Sequence, residues 1–350
     1  MSDTAPSTMT TGYAAMERNA QLVPWSFQRR TPRPQDVALD ILFCGVCHTD
    51  IHSVGKWGQE FPLVPGHEIV GRVTETGSDV RRFKAGDIVA VGVIVDSCRE
   101  CDPCRREMET YCQAFPTTTY DGVDRVDGSR TRGGFADIYV ADERFVHHVP
   151  AGLDLAGVAP LLCAGITTYS PLRHWNAGPG KVVGVIGIGG LGHLALRFAR
   201  ALGAHVVAFT TSANKRDNAL ALGAHEVVLS TDEAQMTAQA NRFDFLLDTV
   251  SNTYPMAAYL RALKLDGTLC SLGLPDRFDL PPILLAMGRR SVASSGAGGT
   301  RETGEMLAFC AQHGITADVE VIAPCEINAA FDRLARNDVK YRFVIDMARR

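Results

Sequence analysis

Apolar and polar positions change rhythm along this chain. Up to about residue 155, β-branched and apolar residues come in short runs, at 37–43, 69–74, 88–95, 135–140 and 145–149. Such runs, cut by glycine, predict strands, and Lys84-Ala85-Gly86-Asp87 predicts a turn between two of them. From about 156 to 296 strand and helix signals alternate. Residues 181–186 form a continuous apolar run, as a strand buried on both faces of a parallel sheet requires. Leu191, Leu194, Ala195, Phe198 and Leu202 then recur at helical spacing, and 205–209, 227–229, 243–250 and 268–274 predict further strands. Beyond 297, residues 302–313 and 327–336 predict amphipathic helices, with short strands at 319–322 and 342–346.

This pattern predicts an α/β protein of two domains. One is β-rich, from 1–155 and 297–350. The other, 156–296, is a doubly wound parallel sheet. A length of 350 residues agrees, because one core rarely grows past about 250–300 residues. Charged residues make up 21% of the chain and the net charge is −4, with basic residues scattered in pairs such as Arg29-Arg30 and Arg81-Arg82. That argues against nucleic acid or a membrane surface as partner. Residues 1–20 are Ser/Thr-rich without an apolar core, so no signal peptide is expected, and the first residues are expected to be disordered. The longest apolar run, 182–196, is broken by glycines and too short to span a bilayer. A cytoplasmic location is the expectation.

Ten cysteines then suit metal binding better than disulfides. Cys98, Cys101, Cys104 and Cys112 have the spacing C-x2-C-x2-C-x7-C. Four thiolates on a short loop close a tetrahedron around zinc and leave no open position, which makes a structural site. Cys47-His48-Thr49-Asp50-Ile51-His52 and Gly66-His67-Glu68 offer a different set: a thiolate, imidazoles, a hydroxyl and carboxylates. Cys47 and His67 are candidate ligands, Cys163 is the candidate third, and Glu68 is an outer carboxylate or transient fourth ligand. Three protein ligands leave room for substrate. Spacing alone leaves the alternative open that Cys163 and His67 are core residues. Cys44 reads as a buried strand residue.

Gly187-Ile188-Gly189-Gly190-Leu191-Gly192 is G-x-G-x-x-G between a strand and a helix, the setting in which backbone cradles a dinucleotide pyrophosphate. The next strand ends Thr210-Thr211-Ser212, with Lys215 beyond, where an NAD site carries a carboxylate. Hydroxyls and a cation suit the 2′-phosphate of NADP(H). Thr249 and Gly273 lie at later strand ends, and Arg342 is either a further cofactor contact or a surface ion-pair residue. His48, Thr167, Gly190 and Leu191 complete the candidate cofactor contacts.

In this order, 44–52, Val64-Pro65-Gly66-His67-Glu68, the four-cysteine loop, 187–192 and Tyr341-Arg342-Phe343-Val344 resemble the zinc-dependent medium-chain alcohol dehydrogenases, specifically their cinnamyl alcohol dehydrogenase branch, over about 37–345. The resemblance implies a GroES-like catalytic domain beside a Rossmann domain, two zinc ions and a homodimer. It implies that Cys47, His67 and Cys163 bind the catalytic zinc, which Glu68 can approach and Asp50 supports from outside. It makes Thr49 the hydroxyl that exchanges a proton with substrate, through a relay with the cofactor ribose that ends at His52. Thr118 stands where plant members carry an aromatic residue, while Trp57 remains to line the pocket. The expected activity is hydride transfer between NADP(H) and an aldehyde or primary alcohol. The alternatives are reduction of a conjugated C=C or iminium bond, and a non-catalytic NADPH-binding protein.

Overall fold

The computed structural model describes residues 8–349. The disorder expected of the first residues therefore falls mostly outside the described part. The chain divides into two compact units: residues up to Cys163 together with those from Gly298 onward, and Ala164–Ala297 between them. Residues 156–163, which the sequence pattern groups with the second domain, pack with the first.

The first unit is built on a mostly antiparallel sheet. Its order is Val319–Ile322, Arg342–Asp346, Asp36–Val46, Ile69–Thr76, Ile88–Val91, Val146–His148, with Ile138–Asp142 paired to the first half of Asp36–Val46. The C-terminal strand pairs Phe343 with Val46 and Ile345 with Cys44, which brings it beside the residues leading into Cys47. Leu39, Ile69, Val89, Phe135 and Phe343 are fully buried between the layers. Each such side chain contributes about 1.5–3 kcal/mol.

Two expectations are corrected here. The sequence pattern predicts no strand before residue 37, but Thr8–Ala15 pairs antiparallel with Leu22–Arg29. The run 88–95 is not one strand. It splits into Ile88–Val91 and Ile94–Asp96, which belong to different sheets.

The second unit holds a six-stranded, all-parallel sheet in the order Glu226–Leu229, His205–Thr210, Val182–Ile186, Phe243–Asp248, Leu263–Ser271, Ser291–Ser294. This is the doubly wound dinucleotide-binding order. Ser291–Ser294, missed in the sequence pattern, is one of the two edge strands, opposite Glu226–Leu229, and is half polar.

Candidate functional site

The strand Asp36–Val46 runs directly into Cys47, which has extended backbone angles (φ −118°, ψ 154°) and begins the five-residue helix His48–His52. Next to it, Gly45 N–H donates to the Glu68 carbonyl at 2.9 Å, so His67 and Glu68 arrive beside Cys47. A Cβ at Gly45 would lie 1.9 Å from Glu68 Oε2, so glycine there clears the space that the carboxylate fills. Gly66 takes φ 100°, a left-handed conformation that glycine adopts at no steric cost. Cys163 follows the buried 3-10 turn Ala159–Leu162, and its Sγ is 4.0 Å from that of Cys47.

The ligand atoms of Cys47, His67, Glu68 and Cys163 all lie within 4.8 Å of one another. Asp50, fully buried, ties the group together. Its Oδ2 accepts from Cys47 N–H at 2.8 Å, its Oδ1 accepts from Gly66 N–H at 3.1 Å, and Oδ1 is 3.3 Å from His67 Nδ1. With Nδ1 so held, His67 Nε2 is buried without a hydrogen-bond partner among the described residues, as is Glu68 Oε2. Buried polar atoms are rarely left unpaired unless an ion completes them. Thiolate, imidazole and carboxylate at these separations fit zinc.

Electrostatics point the same way. The neighbouring Cys163 thiol, then the His67 ring, hold the Cys47 thiol well below its usual range despite burial. Burial pushes Glu68 up to about 7 against the pull of Arg342. Thr49 Oγ1 is 3.6 Å from Cys47 Sγ. His52 ends the same short helix and is exposed.

The second cluster is Cys98, Cys101, Cys104 and Cys112, with Sγ atoms 3.8 Å apart for Cys98–Cys104 and 3.4 Å for Cys101–Cys104. Backbone N–H groups of Cys98, Cys101 and Gln113 point at three of the sulfurs from 3.4–3.5 Å. Such donors favour thiolates, and those of Glu100 and Cys101 lower Cys98 to about 6. All ten cysteines are free.

In the second unit, Gly187 takes φ 88° at the end of Val182–Ile186, and the helix Gly192–Ala201 starts five residues later. A Cβ on Gly192 would fall 2.1 Å from the Gly187 carbonyl, while one on Gly189 would meet nothing within 4 Å. The first glycine permits tight packing and the second leaves backbone open to a ligand. Thr249 Oγ1 donates to the Ile186 carbonyl at 2.9 Å, bracing the turn. A Cβ on Gly273 would meet the Val250 carbonyl at 1.9 Å, so packing fixes that glycine. Lys215 Nζ donates to the Ile188 carbonyl at 3.1 Å, which brings the cation from the end of the second strand back to the glycine turn. Ser212 N–H donates to Thr210 Oγ1 at 3.1 Å. Thr167 lies half-buried on the helix Ala164–His174.

Three arrangements escaped the sequence. Arg342 is not a surface residue: it is buried and paired with Glu68. Tyr120 lies near His67, its ring tilted at 38° with centroids 5.7 Å apart, and shares a 3.1 Å hydrogen bond with Ser53 Oγ. Trp57, expected to line a substrate pocket, lies against His52.

The model of the alcohol dehydrogenase GroES-like domain matches residues 33–151, and that of zinc-binding dehydrogenases matches 190–312. The chain is 49% identical over 340 residues to NADP-dependent alcohol dehydrogenase C 1 of Mycolicibacterium smegmatis, covering 96% of this chain and 97% of that one. It is 51% identical over 330 residues to aldehyde reductase YahK of Escherichia coli, covering 93% and 94%. A cinnamyl alcohol dehydrogenase structure from Sorghum bicolor superposes with a TM-score of 0.93 at 45% identity, over 97% of this chain and 98% of that one. A GroES-like β domain joined to a Rossmann sheet, with two cysteine-containing candidate metal sites, defines a class of oxidoreductase. The chain belongs to the zinc-dependent medium-chain alcohol dehydrogenase family, in its cinnamyl alcohol dehydrogenase-like branch.

Proposed function

We propose that this protein is a zinc- and NADP(H)-dependent oxidoreductase that moves a hydride between the cofactor and an aldehyde or primary alcohol, working as an aldehyde reductase. The observation that carries the proposal is the gathering of Cys47, His67 and Cys163 from three distant segments, with Glu68 held beside them by Arg342. Three protein ligands leave a coordination position for substrate oxygen, as catalytic sites do and closed four-cysteine sites do not. The relatives named for NADP-dependent alcohol oxidation and for aldehyde reduction support the same reading.

Zinc, when bound, supplies a Lewis acid for the carbonyl oxygen, and NADPH supplies the hydride. The chain's own residues manage the ligands and the proton. Asp50 holds His67 in the tautomer whose Nε2 is free to ligate. A threonine hydroxyl is a poor acid by itself, so Thr49 works as a relay that hands a proton to the substrate oxygen, and exposed His52 exchanges that proton with solvent. Cys98, Cys101, Cys104 and Cys112 hold the structural zinc. Gly187, Gly189 and Gly192, with the adjoining Gly190 and Leu191, receive the pyrophosphate. Thr210, Thr211, Ser212 and Lys215 receive the 2′-phosphate. His48, Thr167, Thr249, Gly273 and Arg342 are assigned to further cofactor contacts, Arg342 with one nitrogen already committed to Glu68.

We further assign a homodimer through the open edge strand Ser291–Ser294, near which Leu265, Ile283 and Met287 are exposed. An uncovered edge with apolar neighbours invites pairing with a second copy. Free thiols in two metal clusters suit the cytoplasm.

The test is NADPH and NADH oxidation with a panel of aldehydes, before and after chelation, beside zinc analysis and sedimentation. Turnover that prefers NADPH and is lost on chelation is expected. Cofactor binding without turnover of any aldehyde would overturn the assignment.

A further inference from the structure

The helix that carries Thr49 and His52 does not end as an α-helix. Past His52 it widens into a π turn over Ser53–Trp57, closed by Gly58 N–H donating to the Ser53 carbonyl at 2.8 Å. π turns are rare and concentrate at functional sites. The consequence here is geometric. On an α-helix a residue five positions on lies about 140° around the axis and faces elsewhere. The wider turn brings it back toward the same face, and Trp57 lies against His52 with ring centroids 4.7 Å apart and planes at 43°. His48, on the other side of His52 in sequence, is more distant, at 6.5 Å. Both His52 and Trp57 are exposed, so core packing holds neither ring.

What holds the turn comes from the N-terminal hairpin. Arg18, in the connection between Thr8–Ala15 and Leu22–Arg29, donates through Nη1 to the Lys56 carbonyl at 2.7 Å and through Nη2 to the Gly58 carbonyl at 2.8 Å. Asn19 N–H donates to the Val54 carbonyl at 3.0 Å. A Cβ at Gly58 would fall 2.5 Å from the Ser53 oxygen that closes the turn. The hairpin thus supplies donors to carbonyls that the end of a helix leaves without a partner of its own.

We propose that Trp57 is a positioning residue for the proton relay: held by the π turn and the Arg18 clamp, its indole packs at a tilt against His52 and confines the imidazole to the orientation that takes over the proton. The inference rests on the relay described under the proposed function. An unconfined side chain samples about three χ1 wells, so losing the contact should slow proton handover several-fold, not by orders of magnitude. A role in lining the substrate pocket alone would appear in the substrate KM instead.

The experiment follows alcohol oxidation with NADP+ at fixed pH and ionic strength over a series of imidazole buffer concentrations. The variants are Trp57→Leu, Trp57→Phe, Arg18→Ala, His52→Ala and the His52→Ala/Trp57→Leu pair. Trp57→Leu should lower kcat about three- to tenfold, and external base should restore part of the loss, as it should for His52→Ala. Trp57→Phe should keep most of the activity, and Arg18→Ala should behave as a weaker Trp57→Leu. In the pair, Trp57→Leu should add nothing. A Trp57→Leu loss that ignores buffer, or multiplies fully with that of His52→Ala, overturns the proposal. The contact is read without turnover: His52→Ala should change the tryptophan emission of the native protein and leave that of Trp57→Phe unchanged. An equal change in both overturns the proposal as well. If instead His52→Ala turns over like the native enzyme at every buffer concentration, it is the relay that falls.

Discussion

Arg342, from the last strand, donates through Nη2 to Glu68 Oε1, and the carboxylate is fully buried. The other carboxylate oxygen and Arg342 Nε have no hydrogen-bond partner among the described residues. Removing one member of a buried ion pair strands the other, at about 3–5 kcal/mol. Arg342→Met should therefore destabilise the metal-free protein by about that much in urea unfolding. Glu68→Gln in the same background should recover a large part of it, because the stranded charge is gone. Equal loss in the single and double variants would mean that Arg342 acts through packing.

Asp50 accepts two backbone N–H groups and stands beside His67 Nδ1. Asn at this position offers one acceptor and turns an NH2 group toward those donors. Metal affinity at Cys47, His67 and Cys163 should fall about 10–100-fold, the usual consequence of losing a support behind a ligand. The four-cysteine cluster shares none of these bonds and should keep its zinc. Chelator competition on Asp50→Asn checks this: one class of zinc should be lost early and the other should be unchanged.

Glu109 sits in sequence between the candidate ligands Cys104 and Cys112, is buried, and accepts from Thr300 N–H at 3.0 Å and Thr300 Oγ1 at 2.9 Å. The helix Thr300–His313 begins at Gly299, which has no side chain to cap it. The cap comes from the metal lobe instead. Glu109→Ala should cost about 1–2 kcal/mol, as loss of a helix cap does. Hydrogen exchange should quicken in the first turn of that helix before the rest. Uniform quickening along the helix would contradict a capping role.

The candidate metal donors were legible because they are chemically conspicuous. Cys98, Cys101, Cys104 and Cys112 have the spacing of a thiolate cage, and G-x-G-x-x-G declares itself through glycines of which packing demands Gly187 and Gly192. Other features carry no local signal. The buried face of Thr8–Ala15 includes Thr10, Gly12 and Ala14, small residues that leave no apolar stripe to read. Ser291–Ser294 alternates little because it is a half-exposed edge. The Arg342–Glu68 pair spans 274 positions, and only strand pairing beside Val46 makes it possible. The π turn at Ser53–Trp57 depends on Arg18, in a hairpin that was itself invisible.

His147, in the strand Val146–His148, is 7% exposed, and burial, aided by nearby Arg82, lowers it to about 4. An unfolded histidine titrates near 6.5. Between these values the unfolded chain binds a proton that the folded chain refuses, so the folded state loses ground as pH falls. The contribution is complete above about 6.5 and is lost as pH falls toward 4, by up to about 3 kcal/mol. Carboxylates and the metal ligands add their own pH dependence, so the informative quantity is the difference between native protein and His147→Leu. Urea midpoints at pH 7.5 and 4.5 should show the native protein losing more stability than the variant. Parallel losses would mean that His147 takes up its proton in the folded state, through an opening of the strand edge that burial alone does not suggest.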